Sequence, residues 1–260
     1  VLEALANEVV PELDHAHSFM AEVVLEFARV QRNIGKPREA AQLSGRALRL
    51  MEQAENPAGA ADALVALGKC ERLMGDVIRA ERHYHAALAV LREAGLTQGV
   101  GPIYSNLGRI ALDQNRLEDA RSAFLEALAG QRATQDRWGM ALELGHLGEV
   151  AYQQGDQGLA RSLFQQCLQE ADALDIRQLI SGARMYLGAL QAHEGSAEGL
   201  ALIEDAVRIA RSLQDLPRQV RGQQLLVEAL ERLGKKGEAQ VEQRRVEALM
   251  LEAGMTEPLG

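Results

Sequence analysis

The chain has 260 residues, 47% of them hydrophobic but only 3% aromatic, and its 28 Lys and Arg are outnumbered by 37 Asp and Glu for a formal net charge of -9. That charge opposes long-range attraction to nucleic acid or to an anionic membrane surface, so neither is expected as a direct partner, although a local basic strip can still hold an acidic group. An Ala- and Leu-rich composition with almost no strand signal excludes a sandwich or barrel core and points to helices packed through small side chains.

In chain order, the sequence starts at Val1 without an initiating Met and without the basic-then-apolar pattern of a secretory signal. An excised or processed segment is therefore expected, although cloning and numbering choices give the same start. Residues 1–18 are too few for a repeat and read either as the tail of a preceding second helix or as a capping helix.

From residue 19 a repeat dominates. Leu67-Gly68 recurs as Leu107-Gly108, Leu147-Gly148 and Leu187-Gly188, always 40 residues on. Gly35, Gly75, Gly155 and Gly195 keep the same spacing, as do Ala40, Ala80, Ala120 and Ala160. After Gly195 the landmarks fall one residue early, with Ala206-Val207 and Gly234, which predicts a residue missing from a turn.

Within one unit, Leu64, Leu67, Cys70, Leu73 and Met74 have helical spacing and stop at Gly75-Asp76. A second helix carries Ala80, Tyr84, Ala87, Leu88 and Leu91 on one face, and Pro57, Pro102 and Pro217 stand at the starts of following helices. Each unit is thus a helix hairpin, giving six: approximately 19–56, 57–96, 97–136, 137–176, 177–215 and 216–253, then a tail 254–260. Gly68, Gly108, Gly148 and Gly188 interrupt first helices at about 0.5–1 kcal/mol each relative to Ala, a cost that close approach of the second helix would offset. The Glu-, Gln-, Lys- and Arg-rich stretch 235–253 suits a terminal repeat whose outer face has no neighbour.

The order Leu-Gly, Gly-Asp, Ala, aromatic, Ala-Leu, with Tyr84, Phe124 and Phe164 at the aromatic place, resembles that of tetratricopeptide repeats. The 40-residue unit is similar to the longer variant in Leu-Gly-Asn repeat proteins, kinesin light chains and the sensor domains of bacterial regulators like the maltose activator. The resemblance covers residues 19–253 and implies an all-α, right-handed superhelical solenoid. The bulky aromatic early in the family's first helix is replaced by Leu64, Leu144 or Arg184, and the late proline of the second helix is missing.

No catalytic set emerges, and an enzyme is not expected. Gly68-Lys69-Cys70 and Gly234-Lys235-Lys236 lack the upstream glycine and the hydroxyl of a phosphate-binding loop. The six histidines never fall four residues apart, so no metal or other cofactor is expected. Cys70 and Cys167 lie far apart on apolar faces, read as packed side chains, and fit the reducing cytoplasm. Carboxylates such as Glu118 and Asp119 sit among Arg116 and Arg121, as on a solvated, paired helix face. Trp138 opens a helix either as an exposed anchor or as the cover of a junction.

The family resemblance further implies that first helices line a concave groove, with ligand-facing positions around the Leu-Gly pair. Carried over residue by residue, these are Arg29, Lys69, Arg109 and Glu149, then Arg32, Arg72 and Tyr152, with Ser105, Asn106 and His146 just before the repeated Leu. The early repeats are basic and the later ones acidic. The expected function is a non-catalytic scaffold holding a peptide or protein with an acidic segment or terminal carboxylate. Two alternatives stay open: basic side chains that merely pair with Glu26 or Glu71, and a ligand-sensing arm of a larger bacterial transcription regulator or signal-transduction ATPase. Self-association of the ends also stays open.

Overall fold

The computed structural model describes the backbone of residues 2–253 and the side chains of 16–252. Val1 and the expected tail 254–260 lie outside the described residues. Among those residues the chain forms twelve helices and no strand, an all-α fold. They are α1 (Leu2–Asn33), α2 (Pro37–Gln53), α3 (Pro57–Leu73), α4 (Val77–Glu93), α5 (Val100–Asp113) and α6 (Leu117–Ala133), followed by α7 (Arg137–Gln153), α8 (Gln157–Ala173), α9 (Arg177–His193), α10 (Glu198–Ser212), α11 (Leu216–Arg232) and α12 (Lys236–Ala253). The backbone of α1 runs through residue 18 without a break.

Two compact units divide the chain, Val1–Ile110 and Ala111–Gly260. In the first, α1 packs on α2, α2 on α3, and α3 on α4, while α1 also touches α3. In the second, consecutive helices from α6 to α12 pack pairwise, and the first helices α7, α9 and α11 touch in turn.

The repeated landmarks each have a physical task. Tyr84, Phe124 and Phe164 of the second helices are almost wholly buried. Two of them fill the space that a glycine leaves on the facing first helix: a Cβ on Gly68 would stand 2.6 Å from the Tyr84 ring, and one on Gly148 2.9 Å from that of Phe164. The glycines cost helix propensity and are offset by ring burial, as anticipated. Between the helices, Gly75 and Gly155 take φ of 83° and 79°, the left-handed region. The third hairpin has Asn115 at this place, with φ of 56°. The side chains of Asp76 and Asp156 then accept the backbone N–H of Arg79 and Leu159, satisfying groups that the first helical turn leaves unpaired.

One expectation is corrected. The residue lost after Gly195 does not come from a turn, since the turn spans residues 194–197 whereas its counterpart in the preceding hairpin spans 154–156. The loss falls in α10, which has 15 residues where α8 has 17. There the aromatic is replaced by Ile203 and the two helix backbones close in, so that a Cβ on Gly188 would lie 2.5 Å from the Gly199 carbonyl oxygen.

Candidate functional site

In the first unit the basic residues come from three first helices: Arg29 and Arg32 from α1, Lys69 and Arg72 from α3, and Arg109 from α5. Helical spacing puts residues 29 and 32, and 69 and 72, on one face each. Arg29 is exposed and bonds through Nε to Glu26 at 2.9 Å, one turn back on its own helix. Arg32, Lys69 and Arg72 form one electrostatic cluster. Burial lowers the Lys69 ammonium below the ordinary lysine range, Arg32 and Arg72 push the same way, and Asp62 opposes them. Asp62 itself is held above the ordinary carboxylate range, chiefly by burial and against the pull of Lys69. Lys69 makes no ion pair within 4 Å among the described residues. A half-buried cation among like charges is poorly compensated by its own protein and is suited to an incoming anion.

Beneath this cluster lies Tyr84, whose hydroxyl is buried without a hydrogen-bond partner. Burial drives its pKa up to about 12, against the opposing field of Arg72 and Arg32. Of the remaining first-unit candidates, Ser105 is buried, Arg109 is exposed, and Asn106 Nδ2 donates to the Pro102 carbonyl at 2.6 Å.

In the second unit the three candidates behave differently. His146 is buried at 7% exposure, stacks on Phe124 with centroids 4.6 Å apart, and sets Nδ1 3.2 Å from the carboxylate of Glu143, which is wholly buried. As placed, it is a core side chain with no face for a ligand. Glu149 is half-buried and accepts from the Tyr186 hydroxyl at 2.6 Å, and that hydroxyl accepts from Arg221 Nε at 3.1 Å. The Arg221 guanidinium also lies 5.5 Å from the Tyr186 ring centroid. Tyr152 meets Tyr186 edge-on at 5.2 Å and His193 at 6.1 Å. Burial and the Glu149 charge hold the Tyr186 phenol well above its ordinary pKa.

Sequence reasoning reached Glu149 and Tyr152 but missed Tyr186, His193 and Arg221. Tyr186 had a signal, since it precedes Leu187 as Asn106 precedes Leu107 and His146 precedes Leu147. Arg221 had none, because it reaches Tyr186 from the next hairpin.

No group of three or more His, Cys, Asp or Glu among the described residues is placed to hold a metal, and no described helix is long and apolar enough to cross a membrane. Both cysteines are buried, and burial pushes the Cys167 thiol up to about 12, far from a reactive thiolate at neutral pH.

Comparison with known proteins follows the same lines. The family model for the tetratricopeptide repeat matches residues 59–133. No curated protein matches the chain. Among solved structures it is similar to aspartyl phosphate phosphatase F from Bacillus subtilis, at 12% identity and a TM-score of 0.78, covering 90% of this chain and 60% of that one. It is similar to a Rap protein complexed with competence and sporulation factor, at 14% and 0.74, covering 90% and 64%. The third is a signal-transduction ATPase with a tetratricopeptide-repeat sensor from Pyrococcus horikoshii, at 16% and 0.65, covering 96% and 41%. The chain spans less than two thirds of the length of each, and identities this low show a shared fold alone.

Proposed function

Because this chain is a helical solenoid of tetratricopeptide-like repeats, we propose that it is a non-catalytic scaffold that binds a peptide or protein through its first helices. The partner presents an acidic segment or a terminal carboxylate to Arg32, Lys69, Arg72 and Arg109, with Arg29 and the Asn106 amide at the margin. The observation that carries this reading is Lys69, half-buried among arginines and without an ion pair of its own among the described residues. Charge-assisted hydrogen bonds from such donors are stronger than neutral ones and orient a carboxylate. Two similar structures were solved in complex with a partner, the Rap protein with competence and sporulation factor and a Rap conjugation gene regulator with the Phr* peptide. The buried, unpaired cysteines suit work in the reducing cytoplasm.

The test uses a fluorescent Asp- and Glu-rich decapeptide as probe, with affinity capture from native extract beside it. Reversing Lys69 and Arg109 to Glu should weaken the probe by about tenfold or more and remove the salt dependence of what remains. Equal affinity of the wild-type and reversed proteins would sink the proposal.

A second reading, a sensing arm of a larger regulator, is favoured by the likeness to the archaeal signal-transduction ATPase with its repeat sensor. A nucleotide-binding core or a helix-turn-helix encoded in the same gene supports the sensing arm. An open reading frame of solenoid alone supports the adaptor.

A further inference from the structure

One first-helix glycine of the second unit has no packing task. Gly68, Gly148 and Gly188 each face a ring or a backbone that a Cβ would strike, which offsets their cost to the helix. Gly182 of α9 does not: a Cβ there would meet no neighbouring atom within 4 Å, although glycine inside a helix is less stable than alanine. Gly145 of α7 is also open, since its Cβ would touch only Cys167 Sγ, at 3.3 Å. Both glycines are partly exposed. Each of these helices is packed on either side, α7 by α6 and α8, and α9 by α8 and α10, so the opening lies inside the stack.

The next seam shows what is missing. Where α9 meets α11, the positions equivalent to Gly145 and Gly182 hold Met185 and Arg221. Met185 is 1% exposed and crosses to α11, 3.3 Å from where a Cβ on Gly222 would stand. Arg221 reaches back to the Tyr186 hydroxyl on α9. That seam is filled from both sides. Where α7 meets α9, neither position has a side chain, and the counterpart of Gly222 is only Ala183. The room taken by a methionine and an arginine stem in one seam is open in the other. One turn along, Tyr186 closes the α7–α9 seam through its bond to Glu149.

The lip of this opening is apolar. Trp138 precedes Leu142 by four residues and Gly145 by seven, so the three share one face of α7. Leu142 is half-buried against the core of the second unit, whereas Trp138 is 52% exposed. Glu149 and Arg221 are both bonded to Tyr186. The opening therefore suits an uncharged side chain about as large as methionine, and beside an indole and a phenol an aromatic ring gains most, from edge and face contacts as well as burial.

We propose that the seam between α7 and α9, over Gly145 and Gly182, is a pocket for one aromatic side chain of a bound peptide, with Trp138 and Leu142 as its lip. The proposal rests on the reading of the first helices as a peptide-binding surface and gives that surface an apolar, sequence-selective contact in the second unit. Glycine at 182 is then retained because the ligand, and not the fold, comes close to the backbone there.

The test uses a neutral pentapeptide blocked at both ends, Gly-Ser-Phe-Ser-Gly, and the same peptide with Ala for Phe, each titrated against the 260-residue chain. Trp138 is the only tryptophan, so its fluorescence reports on the lip, and the backbone amides of Gly145 and Gly182 report on the floor by NMR. The Phe peptide should bind about tenfold or more tightly than the Ala peptide and move all three signals. Gly182→Met supplies the missing side chain. It should weaken the Phe peptide by about tenfold or more while the melting temperature holds or rises, and it should leave the Asp- and Glu-rich decapeptide unaffected. Lys69→Glu should do the reverse, so failure of this pocket and failure of the basic cluster are told apart. Equal binding of the Phe and Ala peptides, binding of neither, or unchanged Phe affinity in Gly182→Met overturns the proposal. If Gly182→Met does not fold, the wild-type shifts decide alone, and a map centred away from Gly145 and Gly182 overturns it.

Discussion

Lys69 and Glu149 hold the same place in their repeats, as do Phe27 and Leu187, yet the two units treat them in opposite ways. In the first unit Lys69 has no ion pair among the described residues, the Tyr84 hydroxyl below it has no partner, and Phe27 is 53% exposed. In the second, Glu149 is bonded to Tyr186, Tyr186 to Arg221, and Leu187 is 8% exposed. One hairpin design therefore serves two ends. Where first-helix side chains satisfy each other across successive hairpins they bind the stack together, whereas Lys69 and the Tyr84 hydroxyl take no part in such pairing among the described residues.

The largest test of that contrast is a pair of truncations at one repeat position. Leu187→Ala should cost about 2–5 kcal/mol in denaturant unfolding through lost burial and a residual cavity, whereas Phe27→Ala should stay within about 0.5 kcal/mol. Comparable losses would mean that the α1 face is already covered. A smaller effect separates the two phenols. Tyr186→Phe removes the hydroxyl that Glu149 and Arg221 share and should cost about 1–3 kcal/mol, while Tyr84→Phe removes an unpartnered buried hydroxyl and should be neutral or stabilising. If Tyr84→Phe proves as costly as Tyr186→Phe, the Tyr84 hydroxyl has an ordered partner after all. The smallest concerns ion pairs. Arg137 reaches Glu170 at 2.7 Å across a hairpin of the second unit, and Arg29 reaches Glu26 one turn away on its own helix. All four side chains are at least a third exposed, so double-mutant cycles should give no more than about 1 kcal/mol for the first and about 0.2–0.5 kcal/mol for the second.

The sequence made the hairpins legible because each landmark answers a local demand. A glycine at a left-handed turn, an aspartate capping the next helix and a glycine opposite an aromatic ring all leave marks at fixed spacing. The shortening at α10 was misplaced to a turn, since the count of residues between landmarks does not say which element absorbs a deletion. Among candidate site residues, charge type and helical face were readable, and three of them, Arg32, Lys69 and Arg72, come close enough to act on one another electrostatically. Burial was not readable. His146 and Ser105 occupy a ligand-facing register in the family pattern, yet His146 stacks under Phe124 and pairs with Glu143, a carboxylate at a place where the other repeats have Val, Ala, Ile or Gly. Arg221 lay beyond reach for a further reason, because its partner stands 35 residues away on another helix.

The turns between hairpins carry one more consequence. Gln135 and Asp175 each precede a first helix, and they adopt nearly the same left-handed conformation, φ of 56° and 52°. A cut after either turn leaves ends that match the other, so residues 136–175 form an exchangeable cassette with its own interior gauge, the ring of Phe164 against Gly148. Such a chain can gain or lose reach in whole-cassette steps without resetting its joints, and length becomes a property that evolution or a protein engineer can adjust independently of the surfaces used for recognition.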